Sequence, residues 1–474
     1  MAIPEASPLL PRAPLQRPLV DVAETPRVPR TTVPLLAVRS AVVLAAGESQ
    51  RLRSISGGGS KALLRVGGIS LLARVVRGLL ETGMERVIVI VGHDGERVAA
   101  AARRLAPDRI DVVIAQAWQE GNGASLSAAE PLLRGESLFA VQTGDHIFGP
   151  GIVDAFVTTG EPAVLVDGGA RAATEEETKV CVVDGRAVAF GKHLAGPVID
   201  CGLFLLPPAV FDAHRQARAA GDSSLSGAVT VLAEQQRIRP VPMPRAGWWQ
   251  DVDTPFDVRA ARRRLRSSLG KGDDGPVSRW LNRPLSSRLS MALSRWHLAP
   301  NALSAVSFAL ALVAALACGL AANWPAAVLA GALVQAASVL DGVDGETARL
   351  QRRASPRGAL LDGVLDRLGD AAIVAGMSIW ALRTGVAPWL AVSLGCAAVT
   401  ASFLSMAIKD RACALRLPRA NDRVLVWALG GRDGRCLILA VFAAVSLPAV
   451  GLAVVTVSVT ATAVARLGRL LRAD

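Results

Sequence analysis

"DGVDGETARLQRRASPRGALLDGVLD", residues 341–366, puts four aspartates and four arginines into the most apolar half of a 474-residue chain. Charge at membrane depth is costly unless it faces water, is paired, or holds an ion. Asp341 and Asp344 are three positions apart, and Asp362 and Asp366 are four apart, so in helices each pair shares a face. If the two helices are neighbours, four carboxylates converge. Hard oxygen ligands with no His or Cys nearby favour Mg²⁺, Mn²⁺ or Ca²⁺ over Zn²⁺. Gly342, Gly345, Ala348, Gly358 and Gly363 are small enough for a ligand or a second helix to come close, and Arg349, Arg352, Arg353 and Arg357 offer charge to phosphate.

Around this stretch lie long apolar runs near 302–321, 325–343, 359–381, 386–407, 435–449 and 451–466. Each is long enough, or nearly so, to span a bilayer core of ~30 Å. The loops "RLQRRASPR" and "KDRACALRLPRANDR" and the C-terminal "RLGRLLR" are basic, whereas "AANWPAA" and "SLPAV" carry no charge and "RTGVAPW" carries one Arg. By the positive-inside rule this predicts an all-α domain of six transmembrane helices with both termini cytoplasmic. Ahead of the runs, Trp280, Leu281, Leu285, Leu289, Leu293 and Trp296 recur among arginines and serines, which suits an interfacial amphipathic helix over about 277–296.

Composition agrees with a membrane protein that has basic flanks. The hydrophobic fraction is 51% and the net charge +12, with mean hydropathy +0.38 and a pI near 10.5. Nucleic acid does not account for the charge, because the basic residues do not cluster with aromatics and Tyr is absent. The six cysteines are scattered, with no metal-ligand spacing, as expected of small core residues in a reducing compartment. Residues 1–37 are rich in Pro and Arg with no sustained apolar run, so a flexible tail is expected there and no secretory signal.

Residues 38–265 have a different pattern. "SAVVLAA", "RVIVIVG", "IDVVIAQ", "SLFAVQTG" and "PAVLVD" are short buried-strand runs separated by stretches of helical length. This predicts an α/β, Rossmann-like domain with a mostly parallel sheet and helices on both faces. Residues 266–276, containing "SLGKGDDGP", form the linker to a membrane domain over 277–474.

Three functional readings fit the 341–366 stretch to different degrees. Charges near a membrane interface account for the arginines but not for four acids at two helical spacings. An ion pathway is physically possible. A metal-dependent phosphotransferase accounts for acids, small residues and arginines together. The pattern D-x2-D-G-x2-A-R-x8-G-x3-D-x3-D is complete at Asp341, Asp344, Gly345, Ala348, Arg349, Gly358, Asp362 and Asp366, and it resembles the signature of the CDP-alcohol phosphotransferase family. The resemblance extends over the C-terminal half, including "NRPLSSRL" and "APNALS". It implies that the four aspartates hold a dimetal centre, that Asp366 also takes the proton of the acceptor hydroxyl, and that Gly345, Ala348, Arg349 and Gly358 contact the CDP portion. Arg432 and Arg435 have two readings, a grip on an acceptor phosphate or positive-inside flanking.

In the soluble half, "VVLAAGESQRLRSISGGGSKALLRVGG" follows the first strand, and such a turn presents backbone N–H groups to phosphate. "LAAG" (Leu44, Ala45, Ala46, Gly47), Arg51 and Lys61 resemble the sugar-phosphate nucleotidyltransferase family, with one departure: Ser49 stands where the family's G-x-G-x-R has its second glycine. The resemblance implies that this loop wraps a nucleoside triphosphate, that Arg51 and Lys61 act on its phosphates, and that Asn122, Gly123 and Ser125 of "GNGASL" bind base and sugar. It also implies a metal at Asp145 of "TGDH" with a second carboxylate from "WWQDVDTP", either Asp251 or Asp253. The bland alternatives are a turn at Asp145 and a helix cap at Asp253. Lys179 and Lys192 flank a hairpin turned by Asp184-Gly185 and fit either a substrate phosphate or solvent; His93 and His146 fit structural roles.

Together the halves resemble the bifunctional inositol-1-phosphate cytidylyltransferase and di-inositol-phosphate phosphate synthase family, through "LAAG", "NG-x-SL", "GDH", "TKV-x3-DG", "GK", "DVDTP" and the complete second signature. The resemblance implies Mg²⁺ or Mn²⁺ at both sites, CTP and a phospho-alcohol such as inositol-1-phosphate as substrates, a CDP-alcohol intermediate, a cell-membrane location with the soluble domain cytoplasmic, and a homodimer. Transfer to a lipid hydroxyl, with inositol or a choline-like alcohol, is the alternative. A transporter with a regulatory nucleotide-binding domain is a more distant one.

Overall fold

The buried runs form strands in the computed structural model, which describes residues 38–472 except 49, 53–54, 56, 170–174, 236–237, 271–273, 297, 416 and 418–429. The expected tail over 1–37, Ser49 and part of the linker thus lie outside the described residues. The strands are β1 (Ser40–Ala45), β2 (Arg65–Val66), β3 (Ile69–Ser70), β4 (Arg86–Val91), β5 (Ile110–Ile114), β6 (Phe139–Thr143), β7 (His146–Phe148), β8 (Ala163–Asp167), β9 (Lys179–Val183), β10 (Arg186–Gly191), β11 (Ile199–Leu206), β12 (Arg239–Pro242) and β13 (Trp249–Asp251). Nine of them make one sheet, ordered β10-β9-β11-β6-β1-β4-β5 with β8 on β11 and β12 on β8. Alternate residues of β1 and β4 enter opposite cores, Val43 and Val89 on one face and Val42 and Ile88 on the other. Burial on both faces is why these strands read as continuous apolar runs.

The expectation of a mostly parallel sheet needs correction. The β5-β4-β1-β6 block is parallel, as is β12 on β8, but β11 runs antiparallel to β6, β8 and β9, and β10 to β9. The cause is local. Asp184 and Gly185 both have positive φ, +49° and +75°, which makes a tight two-residue hairpin, and a hairpin can join only antiparallel strands.

The soluble-half helices are α1 (Leu71–Glu81), α2 (Gly95–Arg103), α3 (Asn122–Ser127), α4 (Glu130–Leu133), α5 (Ile152–Val157), α6 (Ala209–Ala219), α7 (Leu225–Glu234) and α8 (Pro255–Ser267). Beyond the linker come α9 (Arg283–Leu293), α10 (Pro300–Leu320), α11 (Trp324–Leu350), α12 (Pro356–Arg383), α13 (Pro388–Ala414), α14 (Arg432–Ala444) and α15 (Pro448–Leu470). Proline in the first turn of α10 through α13 and of α15 starts each helix where its missing N–H is not needed.

Helix α9 buries polar side chains and exposes apolar ones. Its serine face, Ser286 and Ser290, is buried, while Leu285 and Leu289 are exposed along with the flanking Trp280 and Trp296. The bundle behind it is small-residue inside and large-residue outside: Ala314, Ala330 and Ala337 are buried, whereas Leu316, Leu320 and Trp389 are exposed. The expected apolar runs are helical, except that 435–449 is broken between Ala444 and Pro448, and four helices, α10, α11, α13 and α15, are long and apolar enough to cross a membrane. The count of six spans is not confirmed by these helices. Helix α12 carries Asp362, Asp366 and Arg367 in its first half and Asp370 just past its middle, and α14 has only 13 residues.

At 27 residues, α11 is about 40 Å long at ~1.5 Å per residue, more than a ~30 Å core requires. Its final residue joins the other half. Leu350 is buried in an apolar cluster with Val66, Leu71, Val258 and Leu265, Arg77 Nη1 donates to Gln351 O at 2.7 Å, and Arg352 pairs with Glu81 at 2.5 Å. The described parts of the two halves accordingly belong to one compact unit. The turn between β2 and β3 takes Gly67 and Gly68 at φ +63° and +88°, and a Cβ on Gly68 would lie 2.7 Å from Ser294 O.

The helix crossings depend on similarly close approaches. A Cβ on Gly376 of α12 would lie 2.2 Å from Ala315 O of α10, whereas one on Gly468 meets nothing within 4 Å. Gly376→Ala is therefore expected to destabilise the bundle by about 2 kcal/mol through overpacking. Gly468→Ala should melt at or above the wild-type midpoint in the same thermal-denaturation assay. Equal melting of both variants would contradict the α10/α12 crossing.

Candidate active sites in the two halves

In the soluble half, sheet register builds the site. Strand β13 pairs antiparallel with β7 so that Asp251 stands opposite His146, and Asp145 immediately precedes β7. His146 Nδ1 lies 2.7 Å from Asp145 Oδ1 and 2.5 Å from Thr143 Oγ1, and its ring stacks on Trp249 at 5.3 Å. Lys61 sits in a 3₁₀ turn whose cap, Ser60, accepts from Ala62 N and donates its own N–H to Asp94 Oδ2 at 3.2 Å. From there Lys61 Nζ reaches Asp145 Oδ2 at 2.6 Å and also contacts Asp253. The two candidate carboxylates thus have different surroundings: Asp253 pairs with Lys61, and Asp251 faces His146.

The electrostatics follow from burial and neighbours. Burial opposes charge on Lys61, but Asp145 and Asp253 outweigh it and raise its pKa above the ordinary lysine value. Burial likewise opposes the Asp145 carboxylate, and Lys61 and His146 outweigh it, so Asp145 stays well below the usual range. For His146, burial is overcome by Asp251 and then Asp145, which hold the imidazole at about 9. Burial pushes Asp251 up to about 6, with His146 opposing and Asp145 reinforcing the shift. It does the same to Asp200 on β11, which rises to about 6 against a hydrogen bond from Gly202 N.

Ligand atoms of Asp145, His146 and Asp251 lie within 4.8 Å of one another. Among the described residues, Asp251 Oδ1 is buried without a hydrogen-bond partner. An orphaned buried carboxylate oxygen beside the Asp145 carboxylate fits a divalent cation. His146, assigned a structural role from sequence, is thus brought into the acidic cluster, and its position directly after Asp145 at a strand end was the available signal.

The other soluble candidates are placed less centrally. Helix α3 packs against β1, which puts Asn122, Gly123 and Ser125 on the element beside the strand that ends in Leu44 and Ala45. Asn122 Oδ1 accepts from Leu225 N at 2.8 Å, Ser125 Oγ donates to Gly121 O at 3.1 Å, and a Cβ on Gly123 would collide with Ser223 O at 2.6 Å. Arg51 pairs with Glu176 at the surface. Lys179 and Lys192 flank the expected hairpin, where Lys179 Nζ donates to Lys192 O at 2.7 Å.

In the membrane half, α10 packs on both α11 and α12, which themselves scarcely touch. A cavity of about 450 Å³ opens there, lined by Asp341, Asp344, Asp362 and Asp366 with Gly345, Arg349, Arg432 and Arg435. Ala348 and Gly358 lie outside its lining. Carboxylate oxygens of Asp341, Asp362 and Asp366 lie within 4.8 Å of one another, while the buried Asp344 is bound by Ser304 Oγ and Gly345 N. Three carboxylates facing one cavity offer the hard oxygen donors that suit a divalent cation.

Arg432 and Arg435 do not behave as exposed flanks, since their side chains are only 22% and 14% exposed. Arg432 pairs with Asp341, with Asp366 at 3.2 Å and with Asp370 at 3.2 Å, and Arg435 pairs with Asp370 at 3.2 Å. Sequence reasoning missed Asp370, although its i+4 spacing from Asp366 repeats that of Asp362 and Asp366. It also missed Glu346, which is fully buried between Gly345 and Arg349.

Comparison with known proteins assigns the same two regions. Residues 41–284 match the MobA-like NTP transferase domain family and residues 297–465 match the CDP-alcohol phosphatidyltransferase family. The bifunctional IPC transferase and DIPP synthase of Rubrobacter xylanophilus is 36% identical over 83% of this chain and 90% of its own. That of Aquifex aeolicus is 33% identical over 85% and 92%. Among solved structures, the inositol-1-phosphate CTP transferase from T. maritima aligns with 50% of this chain and 98% of its own, at 24% identity and a TM-score of 0.45. With both regions matched in one chain and relatives aligned along most of its length, the protein belongs to the family of bifunctional IPC transferases and DIPP synthases.

Proposed function

We propose that the soluble half joins inositol-1-phosphate to CTP and that the membrane half consumes the resulting CDP-inositol. In the first step a phosphate oxygen of inositol-1-phosphate bonds to the α-phosphorus of CTP, the α–β bridge breaks, and pyrophosphate leaves. In the second, a hydroxyl of another inositol-1-phosphate bonds to the phosphorus nearer inositol, the diphosphate bridge breaks, and CMP leaves with the di-inositol-phosphate phosphate as product. The observation that carries this reading is two separate carboxylate clusters in one chain, one in each half.

Residue roles follow from the surroundings. Lys61, kept cationic by Asp145 and Asp253, balances charge on the triphosphate, and the turn after Leu44, Ala45, Ala46 and Gly47 offers N–H groups to it. Arg51 is proposed to join it, with Asn122, Gly123 and Ser125 on the base and sugar and Lys179 and Lys192 on the phospho-alcohol. Asp145 with Asp251 or Asp253 would hold a divalent cation, Mg²⁺ or Mn²⁺, as would Asp341, Asp344, Asp362 and Asp366; when bound, the cation neutralises phosphate charge. Asp366 accepts the acceptor hydroxyl proton. Gly345, Ala348, Arg349 and Gly358 are assigned to the donor, and Arg432 and Arg435, held by Asp370, to the acceptor phosphate. The protein is proposed to work as a homodimer in the cell membrane with its soluble half and both termini cytoplasmic.

The two sites should fail separately. Asp145→Asn is expected to abolish pyrophosphate release from CTP and inositol-1-phosphate while supplied CDP-inositol still yields CMP, and Asp366→Asn should do the reverse. Loss of both reactions in both variants would contradict two independent sites. A second test is thermal. Lys61→Met leaves Asp145 and Asp253 without their shared cation and should cost about 1–2 kcal/mol, between the values for exposed and buried pairs. Added Mg²⁺ should restore part of the lost melting temperature; an unchanged midpoint would count against the charge balance described here.

A further inference from the structure

Glu346 lies within the motif on α11, between the residues assigned to the CDP portion, and is fully buried. Its Oε1 accepts from Arg283 Nη1 and Ser286 Oγ, each at 2.7 Å, and its Oε2 accepts from Ser290 Oγ at 2.7 Å. Arg283 in turn grips Asp274 with two parallel bonds, Nε to Oδ2 at 2.8 Å and Nη2 to Oδ1 at 3.0 Å. Asp274 belongs to the segment that arrives from the soluble half. Arg283 and Asp274 are 16% and 12% exposed, so the relay is shielded along its length.

A second contact runs from the same segment to the same helix. Arg349 Nη2 donates to Leu269 O at 2.9 Å, while Arg349 Nε is buried with no hydrogen-bond partner among the described residues. Asp274, Arg283, Gly345 and Arg349 all line the cavity that holds the carboxylates. The next residue, Leu350, is anchored in the apolar cluster of the soluble half.

We propose that Asp274, Arg283 and Glu346 are positioning residues of the phosphotransferase. Through them the segment leaving the soluble half fixes the strip of α11 that carries Gly345 and Arg349, and so sets affinity for the cytidine nucleotide. The inference rests on the reading that the membrane half takes a CDP-alcohol. A carboxylate serving only to fill a core is a poor choice, because a buried ion pair is commonly no better for stability than apolar groups of similar volume. A carboxylate that fixes the direction of a neighbouring guanidinium has a use that apolar groups cannot supply.

The test is CMP binding in the presence of Mg²⁺, measured by calorimetry on the full chain in lipid nanodiscs. Asp274→Asn is expected to weaken CMP binding about tenfold, the size usual for a lost outer-shell partner. It should raise KM for supplied CDP-inositol by a similar factor with kcat within about twofold. Asp274→Glu should return both toward wild type, and pyrophosphate release by the soluble half should not change. Ser290→Ala, which removes only one bond to Glu346, should shift CMP affinity in the same direction and serves if Asp274→Asn does not fold. Wild-type CMP affinity in both variants would overturn the inference alone. Absence of CMP binding in the unaltered chain would overturn the donor assignment beneath it.

Discussion

Carboxylates gathered away from bulk water repel one another, and each half of this protein is arranged around that repulsion. In the soluble half Lys61 stands between Asp145 and Asp253, and His146 stands between Asp145 and Asp251. In the membrane half Arg432 touches three aspartates on two helices. Both clusters thus keep some cationic compensation from the chain itself and retain oxygens for an added cation. The same low-dielectric surroundings that make the clusters costly make them effective toward phosphate esters, whose own charge must be neutralised before attack.

Helix α11 connects the two demands. Its apolar portion crosses the bundle, its acidic portion faces the cavity, and its last residue lies in the core of the soluble half. Gly67 and Gly68 allow the soluble half to approach α11 and the segment after α9 at distances a side chain would not permit. The two halves therefore share one helix at the end of its acidic stretch.

Much of this was legible in the sequence because the relevant patterns are local. Runs such as "RVIVIV" announce strands buried on both faces, and the spacing from Asp341 to Asp366 announces paired carboxylates on two helices. Strand direction was not legible, because apolar composition does not encode whether β11 runs with or against β6. The choice between Asp251 and Asp253 stayed open for the same reason: only the β7/β13 register reveals that one faces His146 and the other Lys61. Glu346 and Asp370 were overlooked because a single acid in a charged stretch looks solvated until its partners, Arg283 and Arg435, arrive from distant segments. The serines of α9 face inward because they donate to the acid on α11, a partner that the sequence did not reveal.

The most direct measurement follows the α-phosphate of CTP. With CTP radiolabelled at that position, inositol-1-phosphate and Mg²⁺, the purified protein should pass the label through a CDP-alcohol and then into CMP, releasing one CMP for each pyrophosphate. Label that stays in the CDP-alcohol whatever the phosphorylated acceptor, or pyrophosphate released without any CMP, would contradict consecutive reactions on one chain.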